Sequence, residues 1–238
     1  MTLQPQQLSL GVSLNDDASL ENFYCSAEQL QNALVVNELR ALLDGGYERF
    51  LYLWGASGAG LSHLLHATCR EAQKRGFSFH YLPMKELLDQ KPEEIFNDLE
   101  LLDLVCIDDV HLIAGKQEWE LALFAFFNAA RDRQKRLLIA ANQTPRELPL
   151  RLEDLRSRLQ WGSTYQVMQL KDADKQAALQ LRAKVRGLEL SDDVAQFLIL
   201  RLSRDTHVLF STLAELDAAS LAEQRKLTIP FVKKALNL

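Results

Sequence analysis

The chain has 238 residues, long enough for one large domain or a core domain with a smaller satellite. Its 47% hydrophobic and 25% charged residues describe a globular protein, and no apolar run approaches the roughly 18 residues that span a bilayer. A net charge of −5 leaves no overall basic field for gathering nucleic acid, although a local patch stays open.

The three cysteines, Cys25, Cys69 and Cys106, are odd in number and show no C-x-x-C spacing. They read as reduced thiols rather than a disulfide frame or zinc site, which points to the cytoplasm. The first seven residues have neither the basic nor the apolar region of a signal peptide.

In chain order, residues 1–19 are polar and read as a flexible tail. Within it, Gln7-Leu8-Ser9-Leu10 puts two leucines on one side of an extended peptide beside an amide. Such a segment suits docking in an apolar groove; the other reading is a polar tail with two leucines. A helical period then predicts a helix over 20–43, closed by Gly45-Gly46. Strands are predicted at 50–54, 77–82, 101–107, 136–141 and 164–170. Between them come helices at 61–75, 118–133 and 150–159, and shorter ones opened by Pro83 and Pro92. Alternating strand and helix implies a parallel sheet covered by helices. From 171 to 238 only helical patterns remain, so an α/β core at 20–170 is followed by a small all-helical module.

The chemistry concentrates at the first strand's end, Gly55-Ala56-Ser57-Gly58-Ala59-Gly60-Leu61-Ser62. The glycines and serine sit as in a P-loop, whose backbone N–H groups and helix N-terminus cradle phosphate. Leu61 stands where the lysine would be, and losing that charged hydrogen bond costs ~1.5–3 kcal/mol of phosphate binding. A strand–turn–helix corner without a ligand is the other reading. Asp108-Asp109 closes the buried strand at 101–107, where a first carboxylate can hold Mg²⁺ with Ser62 and a second can orient water. Asn142 falls at the tip of a neighbouring strand, within reach of a γ-phosphate or of an attacking water. Arg156 and Arg158 lie on a short helix beyond these strands, as a solvated basic face or as an arginine finger offered to a neighbour. His63 and His66 are three residues apart but lack a third partner for zinc, and His207 reads as a surface or half-buried residue.

Taken together and in this order, the P-loop, Asp108-Asp109, Asn142 and the box Ser157-Arg158-Leu159-Gln160-Trp161-Gly162 resemble the AAA+ ATPases of the DnaA lineage. Within that lineage the likeness is greatest to the Hda regulators. It is carried by the missing helix-turn-helix segment, by Gln7-Leu8-Ser9-Leu10, and by the stretches at 61–67 and 224–233. The resemblance implies an AAA+ core with a helical lid and ADP, with Mg²⁺, as nucleotide. Tyr24 would lie in the segment passing the base, with Gly55, Ser57, Gly58, Ala59, Gly60, Leu61, Ser62 and His63 around the phosphates. Asp108, Asp109 and Asn142 (sensor 1) would complete the site, with His207 where sensor 2 has an arginine. Gln7, Leu8 and Leu10 would hold the replication sliding clamp, and Arg158 would act in trans on the ATP of DnaA.

The implied function is negative regulation of replication initiation without turnover of the protein's own nucleotide, by a homodimer or higher oligomer that meets DNA only through the clamp. Leu61, His207 and Gly11 depart from the family pattern. A self-contained ATPase, such as a short initiator or helicase loader, is the competing expectation; a direct DNA binder fits the charge poorly.

Overall fold

The computed structural model describes residues 18–26, 30–202 and 206–237, with only the backbone of His207. Five strands form one all-parallel sheet: β1 (Phe50–Trp54), β2 (Phe79–Pro83), β3 (Leu104–Asp108), β4 (Arg136–Ala141) and β5 (Ser163–Gln166), in the order β2-β3-β4-β1-β5. The alternation along these strands sorts side chains onto two faces. Phe50, Tyr52, Val105, Ile107, Leu137 and Ile139 pack on one face, under α3 (Met84–Leu87), α4 (Pro92–Ile95), α5 (Gln117–Asp132) and α6 (Glu153–Leu159). Leu51, Leu53, Leu104, Cys106, Leu138 and Ala140 pack on the other, under α1 (Leu30–Leu43) and α2 (Leu61–Lys74). A sheet covered on both sides explains the near-continuous apolar runs of β3 and β4.

This topology sets the site. β4 lies between β3 and β1, so the loops leaving the C-terminal ends of all three open on one edge. In open parallel sheets that edge is where ligands bind.

Beyond Gln166 the described elements are helical: a 3₁₀ turn at Asp172–Asp174, then α7 (Lys175–Val185), α8 (Asp192–Arg201), α9 (Thr206–Glu223) and α10 (Ile229–Ala235). They enclose a separate core that includes Leu179, Leu198, Leu213, Leu216, Phe231 and Val232. The expected join near Lys171 falls between the last strand and the first of these helices.

The structure corrects several expected bounds. The helix expected over 20–43 is described over Leu30–Leu43, and residues 20–26 are not helical. Ahead of it, Ser19 and Asn22 exchange backbone-to-side-chain hydrogen bonds of 3.1 Å, a local alternative that takes the chain out of helix. The apolar run at 101–107 starts as a 3₁₀ turn, Leu99–Leu101, and becomes strand only at Leu104. The strand expected over 164–170 ends at Gln166, and α6 starts at Glu153 rather than at 150. Cys69 and Cys106 are buried and Cys25 is half-buried, all as free thiols. No helix among the described residues is long and apolar enough to cross a membrane.

Candidate functional site

At the end of β1 the chain turns sharply. The Gly55 N–H donates to the Ala141 carbonyl of β4 at 3.2 Å, and Ala59 N–H closes a turn onto Ala56 at 3.0 Å. Gly58 and Gly60 have φ of +78° and +97°, the left-handed region where a side chain would be strained. Gly60 is also crowded: a Cβ there would come within 2.8 Å of Phe23 Cε2. Gly60 is the N-cap of α2 and supplies no side-chain cap, so the first amides of that helix are left for an anion. Leu61 is partly buried against the apolar cluster beneath α2, whereas Ser62 is exposed. The position that would carry the lysine has become a packing position.

Gly58, Ala59 and Gly60 form one wall of a narrow cavity of about 30 Å³, completed by Asn22, Phe23, Tyr24, Met168, Leu170, Phe210 and Arg182, among others. That is room for roughly one water, so a nucleoside needs the lid helices or the Phe23 segment to move. Asn32 contributes structure rather than recognition: its amide pairs with both the N–H and the carbonyl of Met168, at 2.9 and 3.0 Å. His63, in the first turn of α2, bridges three parts of the chain. Its Nε2 meets the Ser19 carbonyl at 3.1 Å, its Nδ1 meets Arg182 Nη2 at 2.8 Å, and its ring lies 5.9 Å from that of Phe23. Burial first, then the Arg182 charge, push its pKa down to about 3. Neutral His63 therefore donates to Ser19 through Nε2 and accepts from Arg182 at Nδ1.

Asp108 is buried; Tyr81 donates its hydroxyl to Oδ2 at 2.8 Å and Asp109 its N–H to Oδ1 at 3.0 Å. Asp109 has φ of +55°, and burial together with the Asp108 charge raises its pKa. Asn142 is exposed just past β4, between the acid pair and the glycine turn. Exposed Ser62 and the partly bonded Asp108 carboxylate offer hard oxygen ligands of the kind Mg²⁺ takes alongside phosphates. Among the described residues no group of three or more His, Cys, Asp or Glu is placed to hold a metal by itself.

The two arginines of α6 differ. Arg156 is tied into its own fold, with Nη2 donating to the Leu150 carbonyl at 2.6 Å and Nη1 beside Glu153 at 2.9 Å. Arg158 is half-buried, its Nε donating to Asn128 Oδ1 at 2.9 Å and its guanidinium lying 4.1 Å from the ring centroid of the exposed Trp161. It does not line the cavity at the glycine turn.

The family model described as the bacterial DnaA ATPase domain matches residues 14–166, and that of the Hda lid domain matches residues 172–236. The chain belongs to the bacterial DnaA ATPase-domain family. Its AAA+ fold has solved relatives. A crystallised DNA replication initiation factor is 25% identical over 89% of this chain and 68% of that one, with a TM-score of 0.67. Domain III of the Thermotoga maritima initiation protein DnaA is 20% identical over 95% and 98%, with a TM-score of 0.75. The AMPPCP-bound DnaA of Aquifex aeolicus is 24% identical over 84% and 65%, with a TM-score of 0.67. The chain is thus a DnaA-related AAA+ protein whose C-terminal helices are similar to the Hda lid domain.

For this member of the DnaA ATPase-domain family, the structure gathers Tyr24, Gly58, Ala59 and Gly60 on one cavity. It strings Gly55, Ser57, Leu61, Ser62 and His63 along the adjoining loop and helix and puts Asp108, Asp109 and Asn142 at the same sheet edge. Gln7, Leu8 and Leu10 lie outside the described residues, as does the side chain of His207. Sequence reasoning missed Arg182 and Phe210, and placed Phe23 only as a neighbour of Tyr24 in the segment passing the base. They enter the site from separate elements, and only the aromatic next to Tyr24 carried any local signal.

Proposed function

We propose that this protein is an Hda-type negative regulator of replication initiation. Held by the DNA-loaded sliding clamp through Gln7, Leu8 and Leu10, it lends Arg158 to the ATP site of DnaA, promoting hydrolysis to inactive DnaA–ADP. The observation that carries the reading is the presentation of Arg158. It is braced by Asn128 and Trp161 at the surface, apart from the protein's own glycine turn. A guanidinium so placed can stabilise charge on a transferring phosphoryl group, an effect of about 10³–10⁵ in rate where fingers have been measured.

The protein's own nucleotide, ADP in this reading, serves assembly into a dimer or higher oligomer rather than turnover. The glycine turn and α2 amides would hold its phosphates, Tyr24 would border its base, and Ser62 with Asp108 would hold Mg²⁺, which neutralises phosphate charge when bound. Leu61 supports the absence of turnover, because the charge that usually steadies the β/γ-phosphates is missing.

The test is hydrolysis of DnaA-bound ATP with clamp-loaded DNA and either wild-type protein or Arg158→Ala. Wild type stimulates hydrolysis, and the variant loses stimulation while still co-eluting with the clamp. Equal stimulation by both would refute the finger. The convergence of Asp108, Asp109 and Asn142 favours a second reading, a self-contained ATPase. It requires steady-state turnover by the protein alone that Asp108→Ala removes.

A further inference from the structure

Among the described residues, the cavity at the glycine turn has one charged side chain on its wall, Arg182. It comes from α7, the first α-helix after the sheet, whereas the family likeness places a phosphate-touching arginine at position 207 on α9, which is histidine here. The guanidinium is brought to the first turn of α2 by its 2.8 Å contact with His63 Nδ1, three residues past Gly60. It also lies 3.7 Å from the Phe210 ring centroid, which holds it over the cavity rather than along the lid surface. The amides of that same first turn are the ones a phosphate would take, and the lysine position beside them is the packed Leu61.

We infer that Arg182 is the phosphate-binding cation of this site, taking from the lid side the charge that Leu61 cannot supply from the loop. This rests on the nucleotide reading above and adds a residue and a direction to it. His63 acts as the seat from which the guanidinium turns to the ligand. It can do so because its Nδ1 is an acceptor whose other ring nitrogen is already fixed on Ser19. Such a bond between lid and core also gives a physical link between phosphate occupancy and lid position: the ligand and His63 share the same guanidinium. A planar fork suits this role, since it can keep one donor on an imidazole while offering others to phosphate oxygens.

The test is calorimetry with ADP and with adenosine on the full-length protein and on Arg182→Ala, Arg182→Gln and Arg182→Lys. Phosphate recognition predicts that Arg182→Ala and Arg182→Gln lose about ten- to a hundredfold in ADP affinity while adenosine affinity is unchanged. Arg182→Lys should keep part of the difference, and adding Leu61→Lys to Arg182→Gln should restore ADP binding. Arg182→Gln keeps a long polar stem, so it decides the matter if Arg182→Ala fails to fold. Equal ADP affinity in wild type and Arg182→Gln would overturn the inference. So would parallel losses for ADP and adenosine, which mean base contact or lid docking. Wild-type protein that binds neither ligand would overturn the nucleotide reading itself, a failure distinct from the other two.

Discussion

Arg158 and Trp161, three residues apart across the end of α6, meet as guanidinium and indole at 4.1 Å from carbon to ring centroid. Arg131 of α5 approaches the same ring at 5.2 Å, so two cations share one half-exposed indole. The ring limits the directions in which Arg158 can extend, and Asn128 fixes its Nε. A preordered finger loses less side-chain entropy when it reaches a partner's nucleotide.

Replacing Trp161 by alanine should therefore weaken the stimulation of DnaA–ATP hydrolysis without abolishing it. A cation–π contact is worth about 0.5–2 kcal/mol, or roughly 2- to 30-fold. Titrating the variant against DnaA–ATP and clamp-loaded DNA measures the loss. Full stimulation would show that the indole does not order the finger.

Leu61→Lys should strengthen nucleotide binding, because the glycine turn and the α2 N-terminus are already in place. The gain expected from one charged hydrogen bond is about ten- to a hundredfold, read by calorimetry with ADP and ATP. The long lysine stem can keep part of the packing that Leu61 makes on the core. No gain would mean that the turn does not present phosphate to position 61.

Glu120 is an α5 carboxylate only 1% exposed, and its oxygens accept three backbone N–H groups: Gly115 at 2.7 Å, Arg151 at 2.9 Å and Leu152 at 2.7 Å. It thus ties the chain just ahead of α6, the helix that carries Arg158, to the helix beside it. Glu120→Ala leaves these donors without an acceptor. It should cost about 3 kcal/mol or more in urea unfolding. A loss below 1 kcal/mol would mean water replaces the carboxylate.

His63 makes the fold sensitive to acid. Its folded pKa, about 3, is below the ordinary histidine value of 6.5, so between those limits the unfolded chain binds the extra proton. The stability that neutral His63 confers is thus complete above about pH 6.5 and is lost as pH falls toward 3, by about 1.4 kcal/mol per pH unit. The groups facing it work in both directions: Arg182 and His66 disfavour the charged form, and the Ser19 carbonyl favours it. His66 and His80 are also held low, so the wild-type slope exceeds that of one site. His63→Gln should remove one proton's share of the slope in unfolding measured from pH 7 to pH 4. An unchanged slope would show that His63 protonates freely.

Much of the fold was legible locally. The apolar runs at 50–54 and 136–141, and the second half of the run at 101–107, mark strands of the covered sheet, and the glycines at 58 and 60 mark the positive-φ turn that the structure contains. Residues 20–26 were misread as helix because the helical spacing outweighed the Ser19–Asn22 hydrogen bonds, which compete with helix. Acid pair, asparagine and glycine turn could be linked through strand order, because a parallel sheet brings the C-terminal ends of its strands to one edge.

The sequence by itself determined the alternation of strand and helix, the sheet's two apolar faces, the glycine turn and the absence of its lysine. These are properties of neighbouring residues, set by period, φ and side-chain type. Tertiary structure decided which charge faces which cavity. Arg182 is one of several cations on α7, and only the tertiary fold brings it to 2.8 Å from His63 of α2. Arg156 and Arg158 are two residues apart in sequence, yet one is bound to a carbonyl within its own fold and the other is stacked at the surface, because of what α5 and Trp161 place beside them. A cation's role depends on the acceptors and rings around it, and those come from distant parts of the chain.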